Sequence, residues 1–335
     1  MPHLIYVLLA FAVAVEAKDG SLANERLSPP MIQKPASTKV EVPKLLADTS
    51  VVEEPAELLK TLRDTQQKAW GELKTVKVRA WYRFQNNKGP KPVTWLLEYS
   101  HSRNPTQFKE LKFNSNRMMQ AAKAGKKFDP VGVDADDRNA WYCLNGSIRA
   151  PDMVVIASSA KYMRPDNREL LTVFPPDKKK SPGIVETKTR RFGFAMSPKE
   201  FYGVELPRVT KAGGELIVRQ TGNLVELDFT DPTDRRTPRK IYRFDLSKDG
   251  SAVVVYDRSR RTEIEFRKVK NFWVADSLKE QNMNRYVEMD FFGWIINADL
   301  DGEFSLKTLP VADRTVVNDK RPTPPARTFF KDWAE

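Results

Sequence analysis

A long alternation of apolar and polar residues over residues 239–310 constrains the fold more than any other feature of the chain. In its first run, Tyr242 and Phe244 point to one side, and the charged residues between them point to the other. The Asp249-Gly250 pair then supplies the positive φ angles that a tight hairpin needs. The alternation therefore predicts an antiparallel meander with one apolar face.

The same pattern predicts most of the remaining strands. Within the meander, strands are expected at residues 252–256, 262–267, 272–274 and 285–296, with a short last strand at 304–306. Upstream, strands are expected at residues 76–84, 93–99, 108–113 and 141–144, and strand character returns over 215–229. The Asn145-Gly146 pair predicts a further hairpin. Residues 152–214 give no clear pattern.

One helix is predicted ahead of the first strand. Pro55 suits a first helical position, and Leu58 and Leu62 lie on one apolar stripe after it. The predicted fold class is α+β, mainly antiparallel β. A sheet with one apolar face must cover that face, so the central question is what lies against it.

The N-terminus predicts export. Residues 1–17 hold an apolar run too short to span a bilayer, ending in small residues, which is typical of a cleaved signal peptide. We expect residues 18–54 to form a disordered linker, 55–320 one domain, and 321–335 a C-terminal tail. Cys143 is the single cysteine, so the mature chain has no internal disulfide. These features favour the periplasm or cell envelope, with no transmembrane span after signal removal.

The charge of the chain leaves two kinds of partner open. The sequence has 56 Lys and Arg against 44 Asp and Glu, a net charge of +12. Such a charge favours contact with an anionic envelope surface or a polyanion. The basic clusters fall in predicted loops and lack the stacked-aromatic spacing of a nucleic-acid platform, so no specific nucleic-acid partner is predicted. The clusters are residues 178–180, Arg190-Arg191, Arg235-Arg236 and residues 258–261.

No catalytic or metal-binding pattern accompanies these charges. After signal removal His101 is the only histidine, and it has no second histidine or nearby cysteine for a zinc site or a catalytic triad. We expect it to be a solvated residue at a strand end. No glycine-rich phosphate loop is present. The chain is therefore predicted to be no enzyme and to use no cofactor or metal.

The order of helix, long meander and late hairpin with a tryptophan resembles the LolA/LolB-like lipoprotein-sorting carriers of the bacterial envelope and their secreted relatives. The likeness covers residues 239–319 and, less closely, 55–115. Ala275 stands where such relatives often have a proline. The residues that carry the likeness are Tyr242-Arg243-Phe244-Asp245-Leu246, Phe272-Trp273-Val274, Asp276-Ser277, 304–310 and 315–319. The resemblance implies an incomplete antiparallel barrel, or half-barrel, with helices over its concave apolar face, where the sorting members hold acyl chains.

Two functions follow as alternatives. The first is a non-catalytic envelope protein that binds an apolar ligand, or the acyl chains of a lipoprotein, in a half-barrel cleft. The second is a binder of acidic polysaccharide or another polyanion through the basic loops. For the first, the residues expected to line the cleft are Leu58, Leu62, Tyr82, Phe84, Leu97, Tyr99, Tyr242, Phe244 and Phe266. They could equally close on each other as a dry core.

Overall fold

A computed structural model describes residues 40–86, 93–115, 141–158, 170–176, 214–230, 239–309 and 316–321. Within these ranges the chain forms one α-helix, α1 (Ala56–Glu72), and fourteen strands. The strands are β1 (Thr75–Asn86), β2 (Val93–Arg103), β3 (Thr106–Ser115), β4 (Trp141–Arg149), β5 (Val154–Ser158), β6 (Leu170–Phe174), β7 (Glu215–Thr221), β8 (Leu224–Thr230), β9 (Arg239–Asp245), β10 (Ser251–Asp257), β11 (Arg260–Val269), β12 (Phe272–Asn282), β13 (Arg285–Ile296) and β14 (Val316–Asp319).

All fourteen strands belong to one sheet, in the order β14-β6-β5-β4-β3-β2-β1-β13-β12-β11-β10-β9-β8-β7. Every neighbouring pair is antiparallel except β14 and β6. The predicted meander and the strands predicted upstream of it meet where β1 pairs with β13, with Tyr82 opposite Met289. The α+β class with a mainly antiparallel sheet is therefore confirmed. Closure into a half-barrel, with helices over a concave face, stays a prediction.

The two sides of the sheet differ in chemistry. Because residues directly opposite each other in a ladder share a side, the registers place Tyr82, Leu97 and Phe244 on one side, which we call the aromatic face. The other side carries Arg83 and Glu226 and is called the charged face. Many side chains on both faces are buried, so neither face is open to solvent over much of its area.

On the charged face of β7 to β9, the covering segment comes from the end of the predicted linker. The backbone N–H of Leu46 donates to a carboxylate oxygen of Glu226 at 3.2 Å, and that of Val52 donates to the carbonyl of Val218 at 2.9 Å. Arg243 donates to the carbonyl of Lys44 at 2.6 Å. These contacts tie residues 44–52 to the sheet, and the domain boundaries at 17, 54 and 320 stay predictions. The predicted signal peptide and the tail beyond Arg321 lie outside the described residues.

Two local predictions are wrong. The Asn145-Gly146 pair lies inside β4 and makes no hairpin. A Cβ on Gly146 would lie 2.9 Å from a methyl carbon of Leu111 and 3.5 Å from one of Leu309. The glycine is therefore needed for close packing and not for a turn. The expected strand at 304–306 is also absent, because Leu306–Thr308 forms a 3₁₀ turn. This turn packs Leu306 and Leu309 against the charged face of β3 to β6.

Helix α1 docks on the hairpin between β9 and β10. Asp249 and Gly250 have φ angles of 56° and 68°, as the Asp-Gly pair predicts. The side-chain amide of Gln66, a buried residue of α1, donates to the carbonyl of Gly250 at 2.7 Å. A Cβ on Gly250 would lie 2.7 Å from a methyl carbon of Leu62. The hairpin and the helix therefore depend on each other.

We expect Gly250→Ala to lower the free energy of unfolding by about 2–3 kcal/mol. The added methyl group meets Leu62, and the left-handed φ adds its own strain. Gly222→Ala is the matched control, because Gly222 has a φ of 57° but nothing within 4 Å of a built Cβ. It should cost only about 1 kcal/mol in denaturant unfolding. Equal losses in the two variants would contradict the docking of α1 on this turn.

Candidate functional site

A stack of three aromatic rings lies at the centre of the aromatic face. Tyr82 of β1 stands opposite Trp95 of β2, and their ring centroids are 5.4 Å apart. Phe84, two residues further along β1, has its ring centroid 5.9 Å from that of Trp95. Tyr82 is buried, whereas Phe84 and Trp95 are half-buried. Burial raises the pKa of the Tyr82 hydroxyl to about 12.

The nine residues predicted to line the cleft fall into two clusters on this face. Tyr82, Leu97, Tyr99 and Phe266 are buried in the first cluster, with Phe84 packed against it. Leu62 and Phe244 are buried in the second, with Leu58 and Tyr242 packed against it. Helix α1 covers the second cluster through Leu62 and reaches the first only by its C-terminal end, through Trp70. The structure thus places all nine predicted residues in or against two apolar clusters at the aromatic face. Their role as a ligand lining stays a prediction.

Three polar residues that the sequence did not single out lie within the same face. The ladder places Glu110 of β3 opposite Tyr99 of β2 and opposite Ser147 of β4. Lys112 follows two residues later, opposite Leu97. Glu110 is 1% exposed and Ser147 is fully buried. A carboxyl, an ammonium and a hydroxyl group therefore lie together on a mainly apolar surface.

The charged members of this group have perturbed pKa values. Burial raises the pKa of Glu110 well above its usual range, and the charge of Lys112 opposes that shift only in part. Burial lowers the pKa of Lys112 to about 8, with Glu110 opposing. The ammonium group of Lys112 lies 3.3 Å from the ring centroid of Trp95 and 5.9 Å from that of Tyr82, in cation–π contact. The polar group is thus joined to the aromatic stack.

A second buried carboxylate on this face lies between two arginines. Glu280 of β12 is 0% exposed, and its oxygens lie 3.4 Å from Arg285 and 3.9 Å from Arg260. Arg261, on the charged face, pairs with Glu263. Two arginines of the predicted basic cluster at 258–261 are therefore neutralised by carboxylates. The other three basic clusters lie outside the described residues.

His101 differs from its prediction. It is 5% exposed, and its ring stacks on Trp70 of α1 with centroids 5.7 Å apart. Burial, helped by the nearby charge of Arg103, lowers its pKa to about 4. The prediction of a solvated histidine is wrong, because the C-terminal end of α1 packs over this end of β2. The ring is consequently neutral at ordinary pH.

No group of three or more His, Cys, Asp or Glu side chains in the described ranges could hold a metal ion. In the same part of the chain, no helix has the length and apolar character to cross a membrane. The backbone of Cys143 lies in β4, and its side chain is outside the description.

Comparison with known proteins finds no matching family model and no matching curated protein. Three solved structures are similar. A domain named for outer membrane lipoprotein sorting, from Vibrio parahaemolyticus, has 12% sequence identity and a TM-score of 0.38, over 73% of this chain and 94% of that one. A DUF1329 family protein from Desulfovibrio piger has 9% identity and a TM-score of 0.37, over 72% and 94%.

The third structure is a LolA superfamily protein from Nitrosomonas europaea, with 7% identity and a TM-score of 0.36, over 75% of this chain and 98% of that one. The resemblance to lipoprotein-sorting carriers that the sequence predicts is therefore also found among solved structures. With TM-scores of this size it remains a distant resemblance, and no site or function is transferred through it.

Proposed function

We propose that the protein is a non-catalytic carrier of the cell envelope that binds an apolar ligand, such as the acyl chain of a lipoprotein or lipid, against the aromatic face. The half-buried stack of Phe84 and Trp95 carries this proposal. Both rings pack against a cluster of almost completely buried residues, yet both keep part of their surface in solvent. A flexible apolar chain lying on these rings would remove that surface from water.

Other half-buried apolar side chains extend the same cluster. They belong to β6, β10, β11, β12 and β13, so the partly open area is not confined to one hairpin. These residues are Phe174, Val253, Val269, Phe272, Trp273 and Trp294. Large aromatic side chains supply much apolar contact area with few rotatable bonds, which suits a surface that binds chains of variable length.

The energy available from such binding is sufficient. Each methylene removed from water gains roughly 0.8 kcal/mol, so an acyl chain of about 14 methylenes gains on the order of ten kcal/mol before ordering and association costs. This gain depends little on salt. Polyanion binding, in contrast, weakens steeply from low to moderate salt. Arg260 and Arg261 are already paired with carboxylates, so these two side chains do not favour a polyanion.

A titration with a fluorescent acyl probe tests the proposal. Wild-type protein should bind the probe saturably, with nearly the same Kd at low and moderate salt. Phe84→Ala should raise the Kd about tenfold, because it removes roughly 1.4 kcal/mol of apolar contact. Phe113→Ala is the matched control, since Phe113 is a half-buried phenylalanine on the charged face, and it should change the Kd less than twofold.

Two outcomes would argue against a carrier. Absence of saturable probe binding at either salt concentration would mean that the aromatic face closes on itself as a dry core. Equal weakening by Phe84→Ala and Phe113→Ala would place binding elsewhere, or make it nonspecific. In both variants, unfolding curves measured alongside the titration establish that the protein remains folded.

A further inference from the structure

The carboxyl group of Glu110 has an unusual environment. It is 1% exposed, and neither of its oxygens has a hydrogen-bond partner among the described residues. The hydroxyl of Ser147, directly across the β3–β4 ladder, is likewise buried without a partner there. Opposite residues in an antiparallel ladder have Cβ atoms about 4.5–5.5 Å apart. Two buried polar groups thus lie side by side on the aromatic face with their hydrogen-bonding capacity unused.

Two other carboxylates among the described residues are completely buried, and each lies beside two arginines. Glu280 is flanked by Arg260 and Arg285, and Glu226 by Arg219 and Arg243. An unsatisfied buried polar group costs free energy, and native proteins keep few of them. The arrangement at Glu110 is explained if a ligand supplies the missing partner.

The chemistry of the three side chains selects the ligand group. Because burial raises the pKa of Glu110, its neutral carboxyl can donate a hydrogen bond, as the hydroxyl of Ser147 can. Lys112 lies about 7 Å along the strand on the same face and is a cation held against Trp95. Two neutral donors and one cation suit a group with two acceptor oxygens and a single negative charge.

Building on the proposed carrier function, we propose that the ligand is an acyl chain that ends in a free carboxylate, and that Glu110, Lys112 and Ser147 bind this head group. The chain extends from there over Trp95, Tyr82 and Phe84. A fatty alcohol of the same length would leave the ammonium group without a counter-charge. A fatty amine would be repelled by it.

Displacement of a neutral pyrene-labelled alkane from the full mature chain tests this assignment. Dodecanoic acid should displace the probe at concentrations at least tenfold lower than dodecanol. Lys112→Met, which keeps the length of the side chain and removes its charge, should reduce this preference to less than threefold. If that variant does not fold, Lys112→Gln is measured in its place with the same expectation.

Lys109→Met is the matched control. It removes the same charge from the same strand, but Lys109 lies on the charged face and pairs with Glu303 at 3.0 Å. The preference for the acid should remain tenfold or more. Equal displacement by acid and alcohol in wild-type protein, or a preference that survives in the Lys112 variant, overturns the head-group assignment and leaves the carrier function standing. If the alkane probe itself does not bind, the carrier function fails, and the head-group assignment fails with it.

Discussion

Replacing Glu226 with alanine is expected to lower the free energy of unfolding by about 3–5 kcal/mol. Glu226 is completely buried on the charged face, where it accepts hydrogen bonds from Arg243 at 2.5 Å and from Arg219 at 3.5 Å. It also accepts from the backbone N–H of Leu46. Truncation would leave two guanidinium groups short of a partner and would release the segment that covers β8.

Asp48→Ala provides the control for this change. Asp48 also pairs with Arg219, at 3.4 Å, but its side chain is 91% exposed. Exposed ion pairs contribute little, so the variant should lose less than about 1 kcal/mol. The loss of unfolding free energy in each variant is to be measured by urea unfolding, and the slopes of the two curves should be equal. A loss below about 1 kcal/mol for Glu226→Ala would show that the ion pairs of Glu226 with Arg219 and Arg243 do not stabilise the sheet.

Replacing Phe244 with alanine should also cost about 3–5 kcal/mol. The ring is completely buried between the sheet and α1, in the cluster that contains Leu62, Val225 and Leu227. Because these neighbours belong to helix α1 and strand β8, they cannot close the cavity without moving whole elements. The expected cost therefore lies in the range for a rigid core site.

Phe84→Ala is the comparison that separates a core from a ligand surface. Phe84 is half-buried in the other cluster of the aromatic face, so its truncation should cost less than about 2 kcal/mol of stability while weakening acyl binding. Thermal and urea unfolding measure both variants together. A Phe84 variant as unstable as the Phe244 variant would make both clusters ordinary core.

Alternation along the chain predicted most of the sheet. The strands expected at 285–296 and at 76–84 correspond to β13 and β1, and Pro55 precedes α1 as its N-cap residue. The pairing of β1 with β13 could not be predicted, because residues some 200 positions apart carry no local signal of contact. That pairing joins the upstream strands and the meander into one sheet.

The wrong predictions at Gly146 and His101, and the two strands that the sequence did not indicate, have local physical causes. Gly146 is needed for close packing against Leu111 and Leu309, contacts that only the tertiary structure creates. The sequence predicts a solvated His101 because no local pattern indicates that the C-terminal end of α1 packs over it. The short strands β5 and β6 were missed because they are apolar without alternation, as strands buried on both sides are.

The polar members of the candidate site were missed for a related reason. In β3, charged and apolar residues occur on both sides of the strand, since Phe108 shares a side with Glu110, while Lys109 shares a side with Leu111. A period-two pattern cannot then indicate which charges are buried. Only the ladder with β2 and β4 places Glu110 among Tyr99 and Ser147.

Native mass spectrometry of the mature chain, after incubation with a total lipid extract of bacterial envelopes and removal of free lipid, tests the carrier account most directly. The account predicts a second species, heavier than the bare chain by the mass of one acyl-bearing molecule, and loss of that species when a competing acyl probe is added in excess. Only the bare mass, before and after incubation, would contradict it.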